Sequence, residues 1–239
     1  RIRKKAAHTV SLTSKKGTLE FYAGYSGRNP MGFYVSQRPF ADFAMASAGR
    51  WREYWNTGGF IDFSNVSDPR AHELERRVIL SQYLMGAQEA GILPPQETGL
   101  TYNSWFGKFH LEMVWWHLAH YGLWNKPDIL ENPMKWYFYA ANNAKGIAQR
   151  QGFPGVRWMK MTDPAAGEAP SNVGSYLIWQ QPHVIYLAEL LYRAADNDVR
   201  RKAVLDAYAC LVDLTALFMG RFAEYDSVAD RFIIRGCIP

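Results

Sequence analysis

The stretch WFGKFHLEMVWWHLAHYGLW, from Trp105 to Trp124, sets Trp105, Trp115, Trp116 and Trp124 among Lys108, His110, Glu112, His117 and His120. A plain core uses Leu, Ile and Val, and takes Trp where its N–H finds a partner. Flat aromatic faces beside carboxylate, ammonium and imidazole groups suit a ligand with apolar C–H faces and many hydroxyls, as a sugar ring has. Two further segments repeat the combination: Arg157-Trp158-Met159-Lys160-Met161, followed by Asp163 and Glu168, and Trp179-Gln180-Gln181-Pro182-His183. His120 and Trp115 would serve a packed core equally well. A metal is the rival reading of His110, Glu112 and His117, but they lack the i,i+4 histidine pair of helical zinc sites, so neither metal nor cofactor is expected.

These residues need elements to hold them. Helical spacing would bring Lys108, Glu112, Trp116 and His120 to one face, and His110, Val114, His117, Tyr121 and Trp124 to another. The expectation is a helix over about 106–121, whose first turns would offer free N–H groups to an anionic or hydroxyl-rich ligand. Upstream, alternation predicts a β-hairpin from 8–14 and 18–25 around the turn Ser14-Lys15-Lys16-Gly17. Helices are predicted over 40–55 and over 68–89, the second opened by Asp68 as N-cap and Pro69 as first helical residue. Lys126-Pro127 starts another to about 151, and two more span about 176–195 and 198–223. A strand-like piece over 231–238 closes the chain. The body is therefore mainly α, with helices paired antiparallel through alternately short and long connections, the long loops being where function concentrates.

Bulk composition narrows the class. With 239 residues, 48% hydrophobic and 21% charged, the chain can form one large domain, or one domain with part of another, and is not disordered. The net charge of +5 is carried mostly by Arg1, Arg3, Lys4 and Lys5, a basic end and not a basic stripe, which argues against nucleic acid. No apolar run is read as a membrane span. Cys210 and Cys237 are either thiols or one disulfide, too few for a zinc ribbon. The sequence opens at Arg1, so either a leader has been removed or the record starts inside a longer protein.

The blocks ETGLTYNSWFGKFHLEMVWWHLAHYGLWN, GFPGVRWMKMTDP and LIWQQPHVIYLAELLYR together resemble the six-hairpin glycosidases, (α/α)6-barrel enzymes related to glycoside hydrolase families sixty-five and ninety-five. The resemblance spans roughly residue 40 to the C-terminus. It implies that residues 1–36 end an N-terminal β-sandwich, that 37–68 form a linker helix and loop, and that 69–239 form an incomplete (α/α)6 toroid. It also implies an oligosaccharide or glycoside substrate and a subsite lined by Trp105, Lys108, His110, Glu112, Arg157, Trp158, Lys160, Gln180, Gln181 and His183. Glycoside hydrolysis uses two carboxyl groups; relatives place the general acid later in the barrel, so it is expected beyond Pro239, and Glu112 is read as a hydroxyl binder with no catalytic residue assigned. A phosphorylase, with phosphate held by Arg157, Lys160 or His183, is the neighbouring alternative. A non-catalytic sugar-binding domain and a polysaccharide lyase using His110, His117 and Arg157 are the others. The resemblance further suggests a periplasmic or extracellular location.

Overall fold

The computed structural model describes residues 1–15, 17–21, 23 and 39–238, which fall into two compact units, Arg1–Asn56 and Thr57–Pro239. In the first, β1 (Ile2–Ala6) pairs antiparallel with β2 (Thr9–Leu12), matching Ile2 to Leu12 and Lys4 to Val10. The predicted hairpin thus shifts toward the N-terminus. Alternation could not show β1, because Arg3, Lys4 and Lys5 leave it almost without apolar residues, and backbone pairing holds it instead, with Thr13 N–H donating to Arg1 O at 2.9 Å. Residues 18–21 and 23 are not strand, and the rest of the predicted second strand includes positions outside the described residues. The helix α1 (Phe40–Asn56) follows, within a residue of the expected bounds.

The second unit begins with α2 (Ala71–Gln88). Its Asp68-Pro69 signal acts one step earlier than expected: Asp68 Oδ1 accepts from Arg70 N–H at 2.8 Å, forming the turn that leads into the helix. Two residue pairs then form a short sheet, β3 (Phe109–His110) against β4 (Met161–Thr162). Four helices make the body: α3 (Val114–Leu123), α4 (Pro127–Arg150), α5 (His183–Ala194) and α6 (Asp198–Phe222). A last hairpin joins β5 (Glu224–Asp226) to β6 (Arg231–Ile233), and Ile238 bridges to Leu177. The described chain is mainly α, with six α-helices and a few short antiparallel strand pairs.

Core formation follows from helical period. On α4 the buried residues Leu130, Met134, Tyr137, Ala140, Ala144 and Ile147 recur every three or four positions, one continuous stripe. On α6 the stripe is Tyr208, Leu211, Thr215 and Phe218. The helix α5 lies against α3, α4 and α6, and its Leu187, Leu190 and Leu191 are buried there. Each such side chain contributes about 1.5–3 kcal/mol of apolar burial. Asn197 caps α6 by accepting from Arg200 N–H at 2.9 Å.

Three expectations change. The segment 105–113 is not the start of a helix. Trp105 and Phe106 take left-handed backbone angles (φ 47° and 61°), Gly107 follows at φ 71°, and the chain then extends into β3. Tertiary pairing outweighs helical period here: His110 N–H donates to Pro95 O at 3.0 Å and Glu112 N–H to Lys160 O at 3.3 Å. The helix-end argument for an anion at Lys108–Glu112 therefore falls. Likewise α5 starts at His183, not 176, because Pro182 is tolerated only at a helix start, and residues 179–182 form the turn before it. Finally, α6 is by length and composition apolar enough to cross a membrane, with a mean hydropathy of 1.6 over its best window, which the sequence reading did not assign. Cys210 and Cys237 are both free thiols, Cys210 exposed.

Candidate functional site

The site grows from the loop 89–104, which α2 delivers and Gly99 folds back. Gly99 sits at φ 57°, and a β-carbon there would lie 2.9 Å from the Gln88 and Glu89 side chains, so only glycine lets the loop close on the helix end. Gln96 pins the loop from inside: its Nε2 donates to Tyr102 O at 3.1 Å and its Oε1 accepts from Ser104 N–H at 3.2 Å. Pro95 receives β3 through the His110 N–H bond, and this brings Glu97 next to His110.

After β3 the chain turns at once, with Met113 N–H donating to His110 O at 2.9 Å, and this turn swings Glu112 back beside His110. His110 Nε2 donates to Glu112 Oε2 at 3.2 Å, and Lys160 Nζ, from the segment paired with β3, lies 3.0 Å from the same oxygen. Lys160 Nζ also stands 5.3 Å from the centre of the Trp105 ring, a cation–π distance. Trp105 keeps 51% of its surface exposed, whereas His110 keeps 2%. Lys108 lies at the rim, donating to Pro170 O at 2.7 Å. The result is an open aromatic face above an acid–imidazole–ammonium cluster.

Behind this cluster lies a second acid–imidazole pair. His117, buried on α3, donates from Nε2 to Glu97 O at 3.0 Å, and Glu89 Oε2 stands 3.4 Å from that nitrogen. Burial pushes the Glu89 carboxyl up to about 7 and pulls the His117 imidazole down to about 4. Burial also lowers His110, against the opposing pull of Glu112 and Glu97. His183 donates from Nδ1 to Leu111 O at 3.2 Å and is brought down to about 4, again by burial. Its ring meets Trp179 edge-on at 5.3 Å and Trp116 at 6.5 Å.

The remaining expected residues form a different assembly. Arg157 is 1% exposed and donates to Leu177 O at 2.6 Å, Trp158 O at 3.0 Å and Gln181 Oε1 at 3.4 Å, with Phe218 beneath its guanidinium. Gln181 Oε1 accepts from Trp158 N–H at 2.8 Å, and its amide donates to Val156 O at 2.5 Å. Gln180 donates to Trp158 O and Leu177 O. Trp158 donates from Nε1 to Thr215 at 3.0 Å and is packed edge-on against Tyr137. These four side chains are sealed and tie the long loop to the turn before α5 and to α6. As placed here they present no surface to a ligand, because the amide and guanidinium groups suited to hydroxyls are used on backbone carbonyls.

Trp105, Lys108, His110, Glu112 and Lys160 are thus brought together, His183 adjoins through Leu111, and Arg157, Trp158, Gln180 and Gln181 are set apart. Glu97 and Glu89 were not singled out from the sequence. Their only local signal is a carboxylate at each end of a Pro-Pro-Gln loop. Among the described residues no group of three or more His, Cys, Asp or Glu is placed to hold a metal ion. No protein-family model matches the chain, and neither a curated protein nor a solved structure matches it.

Proposed function

We propose that the chain supplies the saccharide cleft of a glycoside hydrolase built on an (α/α)6 toroid. The observation that carries this reading is the Trp105 face, half exposed, with Lys160, Glu112 and His110 fixed together beside it. A pyranose stacks its C–H face on such an indole, while Glu112 accepts hydroxyl protons and Lys160 donates to hydroxyl oxygens. Glu112 acts here as a hydroxyl binder, held in place by His110 and Lys160. The toroid fits the alternation of connections: residues 124–126 and 195–197 are short links, and 151–182 is a long one between α4 and α5.

A phosphorylase on the same scaffold needs a cation free to meet phosphate. Arg157 is sealed among carbonyls and Lys160 faces Glu112, so an incoming phosphate would have to displace a carboxylate. This favours water as the acceptor. The test is to incubate the full-length protein, in which the expected general acid would be present, with neutral oligosaccharides, with and without phosphate, and to count new reducing ends. Phosphate-independent cleavage, lost in Glu112→Gln while the fold survives, is expected. Strict dependence on phosphate would replace the hydrolase by a phosphorylase, saturable binding without turnover would reduce it to a binding domain, and neither binding nor turnover would overturn it.

A further inference from the structure

His110 carries two carboxylates, one on each ring nitrogen, and the proton count around it is incomplete. Glu112 Oε2 accepts from Nε2, so a neutral His110 has its one proton on that side. Its Nδ1 then turns a lone pair toward Glu97 Oε2, 3.6 Å away. Both of these atoms are buried and neither has a hydrogen-bond partner. Two acceptors sealed against each other repel unless a proton lies between them.

We propose that Glu97 is a further positioning residue of the site, and that it and His110 hold one proton between Oε2 and Nδ1. The Glu97 backbone is already fixed, since its carbonyl accepts from His117. Only the inner carboxyl oxygen is sealed, and the side chain as a whole keeps 34% of its surface exposed. With the proton in place, Glu97, His110, Glu112 and Lys160 sum to zero charge, which suits a neutral saccharide over a uronate or a phosphate. Without it, the cluster carries an uncompensated negative charge beside a buried ring and Glu97 is pushed off Nδ1. The titratable groups facing this proton are Glu112 from the turn after β3, Lys160 from the segment leading into β4, and His117 and Glu89 from α3 and the end of α2. Burial opposes an imidazolium at His110 most strongly and Lys160 adds to that, while Glu112 and Glu97 favour one.

The saccharide half of this inference rests on the proposed function; the proton half does not. The experiment is ring-nitrogen NMR of histidine-labelled protein from pH 5 to 9, with His110 assigned by its absence in His110→Asn. The wild type is expected to show a hydrogen-bonded Nδ1 that loses its proton as pH rises. Glu97→Gln, whose amide donates permanently to Nδ1, is expected to abolish that titration while leaving Nε2 on Glu112. A bare Nδ1 lone pair in the wild type at every pH overturns the proposal and needs no variant to fold. In parallel, affinity for a neutral methyl glycoside should fall about tenfold in the wild type as the proton leaves, about 1.4 kcal/mol, and stay flat in Glu97→Gln. Equal pH profiles for the two proteins contradict the positioning role. Absence of any glycoside binding removes the proposed function but leaves the NMR result to decide the shared proton.

Discussion

Lys160 and Arg157 stand three residues apart in one loop and meet opposite environments. Lys160 faces a carboxylate, under a tryptophan that is half open to solvent. Arg157 faces carbonyls, above a phenylalanine that is fully buried. Around them the same side-chain types, Trp with a charge and a polar amide or imidazole, build two regions with different tasks. In the open one, donors and acceptors converge on each other at the base of an exposed ring. In the closed one, most polar groups are spent on backbone atoms of the loop and the turn beside it, and the guanidinium, two amides and an indole lock the 151–182 loop. The lesson is that residue type selects both a ligand site and a structural clamp; the partner of each polar atom decides which one results.

That contrast can be broken at either end. The largest effect is expected from Arg157→Ala, which empties a large buried site and removes the guanidinium's bonds to Leu177 O, Trp158 O and Gln181 Oε1, leaving Gln180 as the donor that still serves the two carbonyls. It should cost about 3–5 kcal/mol in urea unfolding. Any Arg157→Ala protein that still folds should bind saccharide as the wild type does, and selective loss of binding without loss of stability would merge the two regions.

Glu89→Gln should act next, and only through pH. The folded carboxyl, raised to about 7, keeps its proton where the unfolded chain has already released it. Stability therefore falls as pH rises from the ordinary carboxylate range through 7, by up to about 3 kcal/mol. The variant should be more stable than wild type at pH 8 by up to that amount and about equal at pH 4, read from urea midpoints. His117 and His183, both brought down to about 4, give the opposite slope, with stability lost as pH falls from 6.5 toward 4. Equal midpoints of wild type and Glu89→Gln at pH 8 would remove the buried-acid account.

Smaller again is Gly99→Ala, whose methyl meets the end of α2 at a left-handed backbone position; a loss of about 1–3 kcal/mol is expected by thermal or urea unfolding. Trp105→Ala should change stability least, by no more than about 1 kcal/mol, because half the ring is already in water. Its effect belongs in binding, where about a tenfold loss of saccharide affinity is expected by calorimetry. A large stability loss with unchanged affinity would make Trp105 a packing residue.

Much of the helical frame was legible. Pro127 and Asn197-Asp198 mark their helix starts, and the apolar stripes of α4 and α6 have one period throughout. The segment around His110 misled because its aromatic spacing fits a helix, although the chain is extended at Phe109–His110 and then turns, which also brings Glu112 to His110. Left-handed angles at Trp105, Phe106 and Gly107 end the matter, and no residue type announces them except the glycine. Gln180 and Gln181 misled for another reason: an amide suited to a hydroxyl is equally suited to a carbonyl. Glu97 was missed because its role depends on Gly99 and on pairing between Pro95 and His110, contacts that sequence distance conceals.

The open cluster, and not the clamp, is the proposed seat of a neutral saccharide. Calorimetric titration of a neutral glycoside into the wild type and Glu112→Gln, with a uronate as comparison, tests it most directly. Saturable binding of the neutral ligand, at least tenfold weaker in Glu112→Gln and weaker still for the uronate, is the predicted result. Equal affinity in the two proteins, or a preference for the uronate, would contradict it.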